Sequence, residues 1–303
     1  METLESLKRQ IDPATDLSSV VTTMKTLAAV SIHQYEESVR AVREFNRTVE
    51  MGFQIVLREE SVQAVKDDQI EQGGRTAAIV FGSDQGMCGQ FNEDIASRYF
   101  EAHRNESQQN KDGDSAWIVF AVGHRVEGQL LDAGWSLEQT YDVPTSVSDV
   151  TNLVLEMLPA IENTRSKADV SRLLVFYNHR QSASSYDSKI LQLLPLGRER
   201  LRRWREQPWD SRSLPTYATD RRQLLSRLVR QFLFVSLFQA CAESLASENA
   251  SRIAAMQAAE KNIEERLEEL HGSFNQQRQS AITEELIDVV TGFEALKHGK
   301  SSP

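Results

Sequence analysis

The chain has 303 residues, of which 40% are hydrophobic and 26% charged, and this balance excludes a disordered or fibrous protein. Its net charge of -10 argues against nucleic-acid binding, and its two distant cysteines fit neither a disulfide framework nor a zinc motif. It contains no apolar run of about 18 residues, and its first residues resemble neither a signal peptide nor a transit peptide, which together predict a cytoplasmic protein.

Residues 1–65 are predicted to form one long helix. Apolar residues recur at steps of three and four, which is the pattern of a coiled-coil seam. Asp12-Pro13 is expected to kink or delay the start of the helix. The predicted seam comprises Leu17, Val21, Met24, Ala28, Ile32, Tyr35, Val39, Val42, Phe45, Val49, Phe53 and Val56.

Residues 74–196 are predicted to form a small Rossmann-like α/β domain. Short β-rich runs alternate with amphipathic helical segments, which is typical of a largely parallel sheet. A polar stretch at 105–115 is predicted to be a loop. The predicted strands are Thr76–Phe81, Ala116–Val122, Arg172–Tyr177 and Ile190–Leu194, and the predicted helices are Asn92–Arg104, Arg125–Ala133 and Val147–Leu158.

The loop Gly82–Gly89 follows the first predicted strand and precedes a helix, which is where α/β folds bind phosphates. Its spacing fits neither GxGxxG nor GxxxxGK[ST], so a structural turn is favoured over a ligand loop. Cys88 could be an activated thiolate at a helix N-terminus, but a small buried residue is the favoured interpretation.

No other pattern indicates catalysis. The six histidines show no HExxH spacing, and no GxSxG elbow is present. The sequence therefore predicts no catalytic residue, no cofactor site and no metal site, and a chain that is not itself an enzyme.

Residues 197–218 are predicted to connect the α/β domain to a second long helix. This segment contains one dense basic run, Arg198–Arg205, with Trp204 within it. Arginine beside an aromatic residue can bind nucleic acid or lipid headgroups. Glu199 and Glu206 dilute the charge, so a solvated face is favoured, while contact with a membrane stays open.

The second long helix is predicted over 219–297, with Thr219 or Asp220 as N-cap, followed by a tail at 298–303. A helix this long cannot be enclosed in one globule. The two long helices are therefore predicted to form an antiparallel two-helix coiled coil, with the α/β domain between them in the chain. The seam is predicted to continue through Ile282, Leu286, Val289 and Phe293.

Long parts of both helices carry few charges. Lys25 is the only charged residue from Leu17 to Tyr35, and there is none from Gln231 to Ala242. A long helix in water normally has a charged outer face. Either a surrounding protein encloses these faces, or the helices pack together in a tetramer.

Four segments resemble the gamma subunit of F-type ATP synthases over essentially the whole chain. They are Thr23–Lys25 with Ala28-Ala29, Ser83–Asn92 (SDQGMCGQFN), Glu243–Arg252 (ESLASENASR) and Phe274–Glu285 (FNQQRQSAITEE). The terminal RQxxITxE motif is highly specific to that family, and the SDxGxCGxFN loop is nearly as specific.

The resemblance implies a central rotor shaft that couples ion flow through a membrane c-ring to ATP synthesis or hydrolysis on the beta subunits. It implies one copy per complex, enclosed by three alpha and three beta subunits, with an epsilon-type subunit and the c-ring as further partners. It also implies a peripheral location, within F1, on the cytoplasmic face of the bacterial inner membrane. The positions matching subunit contacts of the family are Met24, Lys25, Arg252, Arg278, Gln279, Thr283 and Glu285.

Some segments depart from the usual family pattern. Val30–Tyr35 replaces a basic run, and Arg198–Arg205 replaces an acidic or polar stretch. These departures resemble the alternate, or N-type, bacterial F-ATPases. Two alternative functions are a coiled-coil scaffold, which would form an ordinary homodimer, and a Rossmann-like nucleotide-binding protein, which would bind nucleotide tightly.

Overall fold

The computed structural model describes residues 3–58, 74–109, 117–182, 185–209, 212–213 and 215–298. The chain divides into two compact units, one of Met1–Leu27 with Ala255–Pro303 and one of Ala28–Ala254. Two helices contribute to both units: α1 (Leu4–Leu57) and α6 (Arg221–His298). The predicted fold class, an α/β domain with two long helices, is confirmed.

The first unit consists of the beginning of α1 and the second half of α6. Its buried apolar residues are Leu7, Val21, Met256 and Leu270. The two helices are joined by Lys25, whose Nζ lies 2.5 Å from Glu260 Oε2. The helix α1 begins at Leu4 and continues through Pro13, so the prediction that Asp12-Pro13 would delay its start is wrong.

The second unit is built on a five-stranded sheet of order β3-β2-β1-β4-β5. All neighbouring strands are parallel except β4 and β5, which are antiparallel. The strands are β1 (Arg75–Phe81), β2 (Ile118–Val122), β3 (Leu137–Tyr141), β4 (Val170–Arg180) and β5 (Tyr186–Leu194), and the shorter helices are α2 (Phe91–Gln109), α3 (His124–Asp132), α4 (Val147–Ala168) and α5 (Arg198–Glu206).

Alternate residues of β1 enter two separate hydrophobic cores because successive side chains of a strand point to opposite faces. Ala78 and Val80 face α2 and α3, whereas Ile79 and Phe81 belong to a larger core. That larger core also contains residues of α1, α4, α5 and α6, so the long helices cover one face of the sheet.

Within the second unit, α1 and α6 run antiparallel. Arg43 contacts Glu243, and Phe53 contacts Phe232 with ring centroids 6.3 Å apart. Residues later in α1 therefore contact residues earlier in α6, which means that the two helices run in opposite directions. The predicted antiparallel pairing is therefore present in this unit.

The short helix α5 is the main departure from the predicted connecting segment at 197–218. The basic run Arg198–Arg205 lies in this helix. The predicted solvated face is only part of the helix surface, because Leu201 and Trp204 are buried on the other side. Trp204 stacks on Phe53 at a centroid distance of 4.4 Å. An amphipathic pattern with only two buried residues is too short to stand out in a sequence.

Other elements also differ from their predicted bounds. The half-exposed strand β3 was not predicted, α4 continues through Pro159 to Ala168, and residues 105–109 of the predicted polar loop are helical. Several residues assigned to the seam are exposed, namely Leu17, Phe45, Ile282, Leu286 and Val289. The parts of the predicted first helix at 59–65 and of the tail at 299–303 lie outside the described residues.

By length and composition, one helix among the described residues could cross a membrane. It is α6, which contains an 18-residue window of mean hydropathy 1.2. Of the residues in that window, 44% are buried inside the protein. A core helix of this composition passes the same test, so the window is weak evidence for a span.

Candidate functional site

The loop between β1 and α2 is held by its own side chains. Asn92 Oδ1 accepts a hydrogen bond from the Ser83 backbone N–H at 2.9 Å, and Asn92 Nδ2 donates to Ser83 Oγ at 2.8 Å. Both residues are buried. The polar groups of the loop are therefore used to fix its shape.

Asp84 joins the carboxyl ends of three parallel strands. Its Oδ1 accepts a hydrogen bond from the His124 N–H at 2.9 Å, and its Oδ2 accepts one from the Val143 N–H at 2.8 Å. His124 is the first residue of α3, so a carboxylate already occupies the place where a phosphate would approach that helix. This arrangement favours the structural interpretation of the loop over a nucleotide site.

We expect Asp84→Ala to lower the free energy of unfolding by about 2 kcal/mol, because two backbone N–H groups lose their acceptor. Urea unfolding of the full chain measures this change. Asp132→Ala removes an exposed acid of α3 and serves as the control, with an expected change below about 0.5 kcal/mol. Equal effects of the two variants would contradict the role of Asp84.

His124 makes further polar contacts at the carboxyl ends of the same strands. His124 Nδ1 lies 2.8 Å from Glu127 Oε2, and its Nε2 lies 3.0 Å from Asp142 Oδ1. The hydrogen bond with Glu127, followed by the charge of Asp84, raises the pKa of His124. Because folding raises the pKa of His124, the protonated imidazolium stabilises the folded state at low pH. That stabilisation is lost as the pH rises through the folded-state pKa.

Cys88 has the properties of a structural cysteine. Its side chain is buried, and burial raises the pKa of the thiol, which is opposite to what an activated thiolate requires. Its backbone carbonyl accepts a hydrogen bond from Ser251 Oγ of α6 at 2.5 Å. Gly89 has φ +61°, and a Cβ there would lie 3.4 Å from Ser251 Oγ, so glycine suits this close approach. The loop is thereby attached to α6.

Beside Ser251, α6 carries a buried ion pair between Glu248 and Arg252. Arg252 Nη2 lies 2.7 Å from Glu248 Oε1, and the two side chains are only 12% and 7% exposed. Glu248 Oε2 and Arg252 Nε have no hydrogen-bond partner. Burial raises the pKa of Glu248 even though Arg252 acts in the opposite direction. Arg252, one of the predicted contact residues, is therefore turned onto its own helix.

Lys25, another predicted contact residue, is also paired within the chain. Glu260 accepts from Lys25 Nζ and, at 3.3 Å, from Thr22 Oγ1. The hydrogen bond from Lys25 lowers the pKa of Glu260. The one charge in this neutral part of α1 is thus balanced, while the adjacent Met24 is half-buried.

The remaining predicted contact residues lie near the end of α6 and are all exposed: Arg278, Gln279, Thr283 and Glu285. Thr283 Oγ1 donates to the Gln279 carbonyl at 2.9 Å, so these two are one turn apart on one side of the helix. Every residue from 278 to 292 is exposed, including five large apolar side chains: Ile282, Leu286, Ile287, Val289 and Val290.

Glu243 links three elements of the fold, and this role was not predicted from the sequence. This buried carboxylate accepts from Gln239 and lies 2.8 Å from His179 Nδ1 and 3.4 Å from Arg43 Nη2. It thereby connects α6 to β4 and α1, at the side of a cleft of about 360 Å³. Glu243 and Glu248 interrupt a mostly apolar stretch of α6, and this pattern could have revealed both of them.

The described residues contain no group of three His, Cys, Asp or Glu side chains arranged to hold a metal ion. The arrangement as a whole fixes an α/β domain onto two helices and leaves an apolar helix end uncovered. Large exposed apolar areas of this kind mark protein contact surfaces.

Comparisons with known proteins agree with this description. A family model described as ATP synthase matches residues 3–296. The chain is 24% identical to the ATP synthase gamma chain of Buchnera aphidicola subsp. Diuraphis noxia, over 99% of this chain and 100% of the relative. It is 25% identical to the ATP synthase gamma chain of Geotalea uraniireducens (strain Rf4), over 98% of this chain and 100% of the relative.

Among solved structures, the fold is similar to a chain of the Euglena gracilis mitochondrial ATP synthase rotor, with a TM-score of 0.63 and 15% identity. That match covers 92% of this chain and 98% of the other. A chain of the Tetrahymena thermophila mitochondrial ATP synthase central stalk and c-ring gives a TM-score of 0.54 at 20% identity, covering 79% of this chain and 99% of the other.

Proposed function

The chain belongs to the ATP synthase gamma family and forms the central stalk of an F-type ATP synthase, and we propose that it is a non-catalytic shaft within it. The shaft carries torque between a membrane c-ring and the beta subunits. Three alpha and three beta subunits surround one copy of the chain, and an epsilon-type subunit binds beside it. The complex lies on the cytoplasmic face of a bacterial inner membrane, and membership of the alternate, N-type group stays a prediction.

The end of α6 is the observation that carries this proposal. Residues 278–292 expose every side chain, and apolar residues occur on more than one side of the helix. In the same unit, α1 exposes Leu17, Val20 and Leu27. Burial of a large aliphatic side chain contributes about 1.5–3 kcal/mol, so these surfaces favour enclosure by another protein.

We further propose that the predicted contact residues other than Met24 meet the surrounding subunits in two different ways. Arg278, Gln279, Thr283 and Glu285 are exposed and can form and release contacts directly. Lys25 and Arg252 already have carboxylate partners, so they present a neutralised surface. A shaft that turns inside its bearing needs contacts of both kinds, because a permanent ion pair with the bearing would stop rotation.

The two alternative functions lack comparable support. Nucleotide binding would need free backbone N–H groups in the loop after β1, where the Ser83 N–H is already bonded to Asn92. The exposed end of α6 would also suit a homodimeric scaffold, but the match of residues 3–296 to the ATP synthase family model favours the shaft. Purification from native membranes separates the three possibilities: a shaft co-purifies with ATPase subunits, a scaffold as a homodimer, and an enzyme with bound nucleotide.

We expect Glu285→Lys to reduce ion pumping per ATP hydrolysed by about 3- to 10-fold in the assembled complex, because reversing an exposed contact charge costs about 1 kcal/mol. Assembly should persist, since Glu285 is exposed and its substitution leaves the buried core of the chain unchanged. Glu268→Lys, at an exposed position on the same helix, is the matched control. Loss of assembly, or equal uncoupling by the control, would contradict the role of Glu285.

A further inference from the structure

A cleft of about 360 Å³ opens within the second unit, between α1, the end of β4 and α6. Its volume lies in the range of small-molecule sites in proteins, which is about 300–1,000 Å³. Among the described residues that line it, six are charged or titratable, and only Val39 and Ala246 are apolar. The cleft is therefore suited to a small polar ligand and not to an apolar one.

The carboxylates of the cleft already have partners. Glu243 is buried, lies 2.8 Å from His179 Nδ1 and accepts a hydrogen bond from Arg43 Nη2 at 3.4 Å. Glu36 accepts a hydrogen bond from Arg180 Nη1. A cationic ligand would have to displace these groups from the two carboxylates, so the cleft does not favour a cation.

Three side chains of the cleft keep nitrogen atoms that a ligand can use. Arg40 is exposed and has no hydrogen bond or ion pair among the described residues. Arg43 is 58% exposed, and its contact with Glu243 is longer than the roughly 2.7–2.9 Å of a strong charge-assisted hydrogen bond. Because Glu243 holds His179 at Nδ1, the ring nitrogen left for a ligand is Nε2.

The charge of the cleft favours an anion. Its lining contains three arginines and two glutamates, so its net charge is +1 when His179 is neutral. Arg40 and Arg43 are three positions apart on α1, which places them next to each other on the helix surface. Each guanidinium can donate two parallel hydrogen bonds to one carboxylate or phosphate group. Two such groups side by side are suited to a ligand with more than one negative charge.

We propose that this cleft binds a small organic anion that carries at least two negative charges on carboxylate or phosphate oxygens. Arg40 and Arg43 bind its charged groups, and His179 Nε2 makes a further hydrogen bond. At about 30 Å³ per water molecule, the cleft has the volume of roughly twelve waters, which is more than one inorganic ion occupies. None of the predicted subunit-contact residues is among the described residues of the lining, so this site goes beyond the proposed function.

The test is isothermal titration calorimetry of the purified full chain with citrate and with glycerol 3-phosphate. We expect a millimolar or tighter dissociation constant for at least one of them, and the tighter binder identifies the recognised group as carboxylate or phosphate. R40Q should weaken this binding about 10-fold, which is the low end for a hydrogen bond to a charged group. Urea unfolding of R40Q should be unchanged, because Arg40 is exposed and holds no partner among the described residues.

The matched control is R98Q. It removes an exposed arginine of α2, which packs on the other face of the sheet, and should change binding by less than about 2-fold. Binding should also persist in the assembled complex.

Four results would overturn the proposal. The first two are no binding of either anion at millimolar concentration, and equal weakening by R98Q and R40Q. The third is binding of inorganic phosphate as tight as that of the better organic anion, which would indicate an adventitious ion only. The fourth is loss of binding in the assembled complex, which would mean that a neighbouring subunit fills the cleft. None of these measurements involves ATP turnover, so their failure is distinct from failure of the shaft proposal.

Discussion

Arg252→Met is expected to lower the free energy of unfolding by about 3–5 kcal/mol near neutral pH. The substitution leaves Glu248 buried without its cation, and a buried unpaired charge is among the most costly single defects. Methionine keeps most of the side-chain volume, so a cavity contributes little. Urea unfolding of the full chain measures the change.

The pH dependence of this variant identifies the cause. Without Arg252, the folded-state pKa of Glu248 should rise further above its ordinary value of 4.5. The folded state then holds a proton that the unfolded state releases, so stability is lost as the pH rises above about 4.5. The defect of Arg252→Met should therefore be smaller at pH 5 than at pH 8.

The double variant Glu248→Gln with Arg252→Met provides the control. It removes both charges together, and replacement of a whole buried ion pair is often close to neutral. We expect it to recover more than half of the lost stability. A double variant as unstable as Arg252→Met would mean that packing, and not charge, holds this part of α6.

Charge reversal at Arg252 is consequently a poor test of coupling. A glutamate there would face Glu248 inside the protein, so the folded unit itself would be damaged. Glu285 has no such neighbour and is exposed, so reversal there tests the contact alone.

Trp204→Ala is expected to lower the free energy of unfolding by about 3–5 kcal/mol. Trp204 is 2% exposed, stacks on Phe53 of α1 and contacts Phe232 of α6 edge-on. Its removal leaves a cavity where three helices meet. Urea unfolding, with the circular dichroism of the folded variant, measures the effect.

Trp209→Ala is the matched comparison. Trp209 is half-buried, and Arg58 Cζ lies 5.7 Å from its ring centre. A partly exposed cation–π contact contributes about 0.5–1 kcal/mol, so the expected loss is below about 1.5 kcal/mol. Similar losses at both tryptophans would contradict the central position of Trp204.

Secondary structure could be predicted from the sequence where the hydrophobic periodicity is strong. The strand β1 is a continuous apolar run, and the long helices repeat apolar residues every three or four positions. The strand β3 (LEQTY) was missed because it lies at the edge of the sheet and only Tyr141 is buried. Edge strands carry little of the alternation on which such predictions depend.

Side-chain pairing was the part that could not be predicted. Nothing local identifies Glu260 as the partner of Lys25, because the two residues are 235 positions apart in the chain. The motif residue Arg252 was identified, but its partner Glu248 was not, since burial of a charged residue depends on the packed neighbours. The outward position of Ile282 and Leu286 has the same origin: they follow the periodicity of a seam, but both side chains are exposed among the described residues.

The uncovered end of α6 has a thermodynamic consequence. A single helix without packing is only marginally stable in water, so residues 278–292 gain most of their helical order from whatever encloses them. Coupled folding and binding subtracts the ordering entropy from the gross interface energy. If the proposed enclosing subunits bind this end of α6, their surface can be closely complementary to it and yet hold it weakly, which would let the helix rotate with little resistance.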